Sequence, residues 1–183
     1  MNLTAHSNEL AKSIDSKIRK VPDFPKEGIL FYDISPVLAD ASLRKAICLG
    51  FTKSLNSLRE VPEAIVAIDA RGFVFGTMLA DELKLPLILC RKPGKLAPPV
   101  QKANYELEYG TNSLELQSSA ELSGKSVVLV DDVVATGGTL GAASTLVRKV
   151  GGKLCACVSL IELKELGGRN VLKDTTLFSL LEY

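Results

Sequence analysis

The stretch KSVVLVDDVVATGGTL, residues 125–140, decides the reading of this chain. It opens on an unbroken apolar run, Val127-Val128-Leu129-Val130, which predicts a strand buried on both faces, as in a parallel sheet. Two adjacent carboxylates follow, Asp131 and Asp132, then Val133-Val134 and the small loop Ala135-Thr136-Gly137-Gly138-Thr139. Leu140 begins a helical pattern, so the loop sits at a helix N-terminus, where unpaired N–H groups and the dipole favour a phosphate. The glycines allow close backbone approach and the two threonine hydroxyls add donors. Two carboxylates beside a phosphate cradle would repel a bare phosphate. They fit a ligand that also carries vicinal hydroxyls or a divalent metal, and a sugar phosphate meets both demands.

Outward from that stretch, strands and helices alternate. Ala64–Ile68 predicts a second buried strand ending at Asp69, and Leu87–Cys90 a third. Between them Phe75, Leu79 and Leu83 mark a helix, and Asp69-Ala70-Arg71-Gly72 lies where the strand ends and that helix begins. Ligands of open α/β sheets gather at that edge, so this turn is a second anion site. The segment Arg91-Lys92-Pro93-Gly94-Lys95 and onward to Asn104 is basic, proline-containing and aperiodic, the composition of an active-site lid. Tyr105–Tyr109 and Ser113–Gln117 predict a hairpin about a Gly110-Thr111-Asn112 turn, so that about residues 92–117 form a flexible lid. Leu140, Ala143 and Val147 line a helix, Leu154–Ile161 and Thr176–Leu181 are further strands, and Leu163–Asn170 reads as a loop.

Upstream, Leu10, Ile14 and Ile18 predict a helix over Asn8–Lys20, followed by a turn-rich connector from Val21 to Gly28 and a short extended piece, Ile29–Tyr32. Asp33–Pro36 reads as another turn, and Asp40 or Ser42 caps a helix bearing Leu43, Ile47, Phe51 and Leu55. Together these elements imply one α/β domain over residues 1–183, a mostly parallel twisted sheet with helices on both faces.

Composition excludes several classes. A net charge of +1 gives no reason to expect nucleic acid or a membrane surface as partner, and no apolar run approaches the length of a membrane span. Cys48, Cys90, Cys155 and Cys157 lack CxxC spacing and read as buried free thiols; with no apolar stretch after Met1, a reducing, cytoplasmic setting is expected. His6, the one histidine, lies in a polar N-terminal stretch, which excludes Ser-His-Asp and Cys-His chemistry in the body of the domain. A P-loop is absent, since no lysine follows Gly137-Gly138.

VVLVDDVVATGGT resembles the fingerprint of the type I phosphoribosyltransferases, which bind 5-phosphoribosyl 1-diphosphate. VPDFPKEG, ILFYDISPVL, AIDARGFVFG, RKPGKL, YELEYG and CVSLIEL, in that order, look like the adenine-using branch of that family. The resemblance implies a fold with a small N-terminal hood, about residues 1–35, that binds the base. It implies the reaction of adenine with 5-phosphoribosyl 1-diphosphate to AMP and diphosphate, in purine salvage, by a homodimer. Ribose and 5-phosphate roles then fall on Asp131, Asp132, Ala135, Thr136, Gly137, Gly138 and Thr139. Diphosphate roles fall on Asp69, Ala70, Arg71, Arg91, Lys92 and Lys95, in a turn that often carries a non-proline cis peptide. Glu108 matches the family's catalytic glutamate, Arg71 neutralises the leaving group, Tyr109 closes over the site, and Leu30, Phe31 and Leu163 contact adenine. Mg²⁺ is the implied cofactor, with no dedicated protein cage: it is held mainly by substrate, with help from Asp131 and Asp132. Tyr32 and Pro93 depart from the family pattern, where an arginine and a further basic residue are common. Two rivals share the fold: an enzyme for another 6-substituted purine, and a ligand sensor that regulates nucleic acid. Glu108 and the basic lid speak against the sensor.

Overall fold

A computed structural model describes residues 3–107, 110–172 and 175–183, and the chain falls into two units, Met1–Gly50 and Phe51–Tyr183. In the first, helix α1 (Leu3–Lys17) buries Ile14 and stops three residues short of the expected end. It stops because Arg19–Pro22 is a strand, β1, paired antiparallel with β2 (Leu30–Asp33) in the register Val21↔Phe31. Part of the expected connector is therefore sheet. The turn between the strands is closed by the Gly28 N–H donating to Asp23 Oδ1 at 2.8 Å. The turn expected at Asp33–Pro36 is instead the start of a helix, α2 (Ser35–Ala39): Asp33 Oδ1 accepts the Ser35 N–H at 2.9 Å, and Pro36 suits a first helical turn. Asp40 caps α3 (Ala41–Leu55) as expected, accepting the Leu43 N–H at 3.0 Å. That hydrogen bond, with Lys17 nearby, holds the Asp40 carboxyl below its ordinary range against the upward pull of burial.

The second unit contains β3 (Ala64–Ile68), α4 (Gly72–Leu83), β4 (Leu87–Cys90), β5 (Val100–Leu107) and β6 (Gly110–Gln117). It continues with β7 (Ser126–Val134), α5 (Gly138–Lys149), β8 (Lys153–Glu162) and β9 (Thr176–Glu182). Five strands form one sheet in the order β4-β3-β7-β8-β9, and every pairing is parallel. From β3 the chain crosses to β4 on one side, and from β7 to β8 on the other. Right-handed crossovers then put α4 and α5 on opposite faces, as the strand–helix alternation predicts. Central strands covered twice must be apolar throughout, and all five residues of β3 are buried. On the α5 side, Val66, Ile68, Val127, Leu129 and Cys157 pack with Leu140, Ala143, Leu146 and Val147, each Val, Leu or Ile contributing about 1.5–3 kcal/mol. On the α4 side the approach is close enough that a Cβ on Gly76 would lie 2.4 Å from that of Ala67. Phe75 of α4 meets Phe51 edge to face, with centroids 6.1 Å apart.

Two expectations are corrected here. The carboxylates do not follow β7 but lie within it, because β8 keeps offering partners up to Val134↔Glu162. The hairpin is longer than its alternation implied, starting at Val100, and Gly110, Thr111 and Asn112 are not its turn: they pair with Leu107, Glu106 and Tyr105. Ala103, Leu114 and Leu116 join the core with α5, and burying that face sets the register. Cys90 and Cys157 are buried free thiols pushed up to about 12 by burial, and Cys155, half-buried, to about 11.

Candidate active site

The parallel register brings three loops to one edge. Ala67 pairs with Val130 and Ile68 with Cys90, so the Asp69 turn, Asp131–Asp132 within β7 and Arg91 lie at nearly the same level on adjacent strands. On the other side Val134 pairs with Glu162, setting Leu163 beside the loop that begins at Ala135; the Leu163 N–H donates to Val134 O at 2.8 Å. This is the carboxyl edge of a parallel sheet, where β-loop-α connections expose helix N-termini.

Asp131 and Asp132 are both buried, and Asp131 Oδ1 accepts the Asp132 N–H at 2.9 Å. Burial and the neighbouring Asp132 charge push the Asp131 carboxyl well above its ordinary range; burial also raises Asp132, against the opposing charge of Arg71. Arg71 Nε lies 2.8 Å from Asp132 Oδ2, yet no N–H is aligned on that oxygen. Among the described residues this buried oxygen has the Arg71 ion pair but no aligned hydrogen bond, so it keeps acceptor capacity for a ligand hydroxyl. The described residues bring together no three His, Cys, Asp or Glu able to cage a metal, so an ion at this edge would share its shell with substrate.

Beyond β7, Gly137 adopts φ +81° and starts α5, with no side-chain cap. The first N–H groups of the helix, from Gly138 and Thr139 onward, therefore lack intrahelical acceptors. On the opposite flank, Asp69-Ala70 is a cis peptide and Arg71 precedes α4. Asp69 Oδ2 accepts from Arg91 Nε at 3.2 Å, and the Lys92 N–H lies 3.5 Å away. The Arg91 guanidinium stands 5.5 Å above the Phe73 ring and donates to Lys95 O at 3.3 Å. Lys92 and Lys95 are exposed. The edge thus sets a row of cations and helix N–H groups against two carboxylates, an arrangement for a ligand with anionic ends and hydroxyls between.

The predicted base contacts divide between the units: Leu30 and Phe31 lie on β2 of the first, Leu163 at the end of β8 in the second. Leu30 is exposed and the Phe31 ring meets Phe24 edge to face at 5.1 Å. Glu108 and Tyr109 fall outside the described residues. Two groups escaped sequence reasoning. Glu115 is a buried carboxylate on β6 that accepts the Gly94 N–H at 2.9 Å, while its backbone exchanges hydrogen bonds with Arg91 at 2.9 and 2.7 Å. The second is the turn Gly168–Leu172, which begins in the segment read as a loop (Leu163–Asn170) and runs two residues past it, and where Gly168 contacts the Ala135–Gly137 backbone. A Gly167-Gly168-Arg169 run just past a buried strand was the available signal.

Residues 38–181 match the family described as the phosphoribosyl transferase domain. The chain is 47% identical to the adenine phosphoribosyltransferase of Homo sapiens over 93% of its length and 95% of that protein, and 43% identical to that of Synechococcus sp. over 97% and 99%. The adenine phosphoribosyltransferase of Thermoanaerobacter pseudethanolicus superposes with a TM-score of 0.90 at 43% identity, covering 94% of this chain and 99% of that one. The Saccharomyces cerevisiae enzyme, solved with an imino-altritol bisphosphate and adenine, superposes at 0.88 with 34% identity, covering 95% and 99%. The chain belongs to the phosphoribosyltransferase family, among its adenine phosphoribosyltransferases.

Proposed function

We propose that this protein joins adenine to 5-phosphoribosyl 1-diphosphate, giving AMP and diphosphate in purine salvage. A ring nitrogen of adenine bonds to ribose C1 as the C1–O bond to diphosphate breaks, and the electron pair leaves on diphosphate. Positive charge grows on the sugar while negative charge leaves, so the site must be polar at both ends and closed to water. The observation that carries this reading is the buried Asp131–Asp132 pair, its Asp132 Oδ2 ion-paired with Arg71 at 2.8 Å, between a cationic turn and an uncapped helix N-terminus.

In this reading Asp131 and Asp132 accept hydrogen bonds from the ribose hydroxyls, and Ala135, Thr136, Gly137, Gly138 and Thr139 wrap the 5-phosphate with N–H groups and hydroxyls. Asp69, Ala70 and Arg71 hold the diphosphate, with Arg91, Lys92 and Lys95 adding positive charge as the hairpin closes. Leu30 and Phe31 contact the adenine ring, as does Leu163. Glu108 exchanges the proton with the purine nitrogens, its carboxyl suited to that role when enclosed, and Tyr109 covers it. Hard carboxylate oxygens at Asp131 and Asp132 suit Mg²⁺, which when bound with the sugar diphosphate neutralises the leaving group. The protein works as a homodimer in the cytoplasm. No helix among the described residues is long and apolar enough to cross a membrane. To test the reading, the pure protein is incubated with Mg²⁺, the diphosphate sugar and each of adenine, hypoxanthine, guanine and xanthine. AMP should form fastest. Faster IMP or GMP assigns the enzyme to an oxopurine, since a pocket built for an amino donor leaves a carbonyl unpaired.

A further inference from the structure

Behind the phosphate loop, two backbones touch with no side chain between them. A Cβ on Gly168 would lie 2.2 Å from Ala135 O, 2.8 Å from Gly137 N and 2.9 Å from Val134 Cγ1. From the other side, a Cβ on Gly137 would lie 2.4 Å from Gly168 O and 3.0 Å from Gly168 Cα. The conformation of the Ala135–Thr139 loop therefore depends on where Gly168 is held. The next residue holds it. Arg169 Nε donates to Glu162 Oε1 at 3.0 Å, its second terminal nitrogen donates to Glu162 Oε2, and Nη1 donates to Leu177 O at 2.8 Å. Ser179 Oγ donates to Glu162 Oε2 at 3.0 Å, so the carboxylate is tied to β9 as well. Glu162 is 3% exposed, at the last position of β8. The chain between is wound tightly, with Leu166 N–H donating to Leu163 O at 3.1 Å and Gly167 N–H to Lys164 O at 3.0 Å.

We propose that the Glu162–Arg169 ion pair is a clamp that closes the segment Leu163–Gly168 across the sheet edge and so sets the phosphate loop through the Gly137–Gly168 backbone contact. Glu162 and Arg169 are positioning residues: among the described residues, their side-chain bonds go to one another, to Leu177 O and to Ser179, and not to the loop that receives the ligand. Arg169 suits the task because its planar fork satisfies both carboxylate oxygens and still reaches a carbonyl, which a lysine cannot do. Burial draws the Glu162 carboxyl upward, but the hydrogen bonds from Arg169 and Ser179 and the Arg169 charge outweigh it, so the clamp is ionised at neutral pH. An ion pair of purely structural value would change stability and nothing else.

The inference rests on Ala135–Thr139 binding the 5-phosphate, so the test reads that binding directly. Ribose 5-phosphate is titrated by calorimetry into the full chain and into Arg169→Ala, Arg169→Lys and Gly168→Ala, with Tm and the KM of each substrate measured alongside. Displacing the loop by part of an ångström should weaken ribose 5-phosphate by about 10- to 100-fold in Arg169→Ala and Gly168→Ala. Arg169→Lys should fall between these and wild type, and the KM of the diphosphate sugar should rise more than that of adenine. Variants that lose Tm but bind ribose 5-phosphate as wild type does overturn the clamp while leaving the proposed reaction standing. Should Arg169→Ala fail to fold, Gly168→Ala and Arg169→Lys decide by the same criterion. A wild-type chain that does not bind ribose 5-phosphate overturns the underlying reading and the clamp with it.

Discussion

Gly72 is the place where one atom should separate stability from catalysis. It opens α4 directly against β7, and a Cβ there would lie 2.7 Å from Val130 O, 3.1 Å from Asp131 Cα and 3.3 Å from Asp131 Oδ1. The nearest of these is a backbone oxygen in a central strand, which cannot swing aside. Restoring ordinary contact at 3.4 Å requires the turn and the strand to part by roughly 0.7 Å. In Gly72→Ala the helix gains about 1 kcal/mol of propensity while overpacking costs about 1–3 kcal/mol. The net loss is thus about 0–2 kcal/mol, and Tm should fall by no more than about 8 °C. Catalysis has no such compensation, because the displacement opens between Arg71 and Asp131–Asp132, now held with Arg71 Nε 2.8 Å from Asp132 Oδ2. Since misplacement by about 1 Å can cost 100-fold, kcat/KM for the diphosphate sugar should fall by about 10- to 50-fold, or about 1.4–2.3 kcal/mol. Steady-state kinetics with each substrate varied at saturation of the other, beside a thermal melt, reads both numbers. Unchanged kcat/KM in a folded Gly72→Ala variant would refute the claim that the two loops form one site, as would a loss carried wholly by adenine.

Other variants probe the remaining parts. Asp131 has its carboxyl raised above the ordinary 3.8 by burial and by Asp132, so its protonated form suits the folded state and its contribution fades as pH rises through that value and beyond. Asp131→Asn should accordingly raise the ligand-free Tm near pH 7, with the gain vanishing in acid, and should lower kcat/KM; a Tm no higher at pH 7 would contradict the assignment. Glu115→Ala leaves the Gly94 N–H without its acceptor, a charge-assisted bond worth about 1.5–3 kcal/mol, so the KM of the diphosphate sugar should rise about tenfold or more, while Glu115→Gln retains most of the affinity. Glu108→Gln should lower kcat by about 100-fold or more with binding of the diphosphate sugar kept, and Glu106→Gln should not; the reverse outcome moves the catalytic role to Glu106.

The parallel sheet was legible because burial on both faces leaves a plain mark. Ala64–Ile68 is an apolar run of strand length buried throughout, and Leu87–Cys90 is also a strand as read, although at the sheet edge it buries only Cys90. Elements defined by their partners were harder. Asp131 and Asp132 look like the end of a strand until β8 is seen pairing beside them as far as Glu162. Gly110-Thr111-Asn112 has turn composition, but the buried face of Leu114 and Leu116 against α5 draws it into the ladder. Arg19–Pro22 carries no alternating pattern and is a strand only because β2 folds back on it. At the candidate site, residues adjacent in sequence, the Asp131–Thr139 run and the Asp69–Gly72 turn, could be named in advance. Arg169 could not, since its partners Glu162 and Leu177 O, and the Ser179 hydroxyl that shares the Glu162 carboxylate, meet only when β8 and β9 pair. Glu115 reads as one more exposed charge on an alternating hairpin until the Arg91 segment is seen to cover it.

The central claim concerns one coupled exchange, and stoichiometry tests it most directly. With adenine, 5-phosphoribosyl 1-diphosphate and Mg²⁺ together, AMP and diphosphate should appear in equal amounts, and omission of any one of the three should stop both. Diphosphate released without AMP would make the protein a hydrolase of the sugar, and no AMP from adenine under any of these conditions would contradict the account.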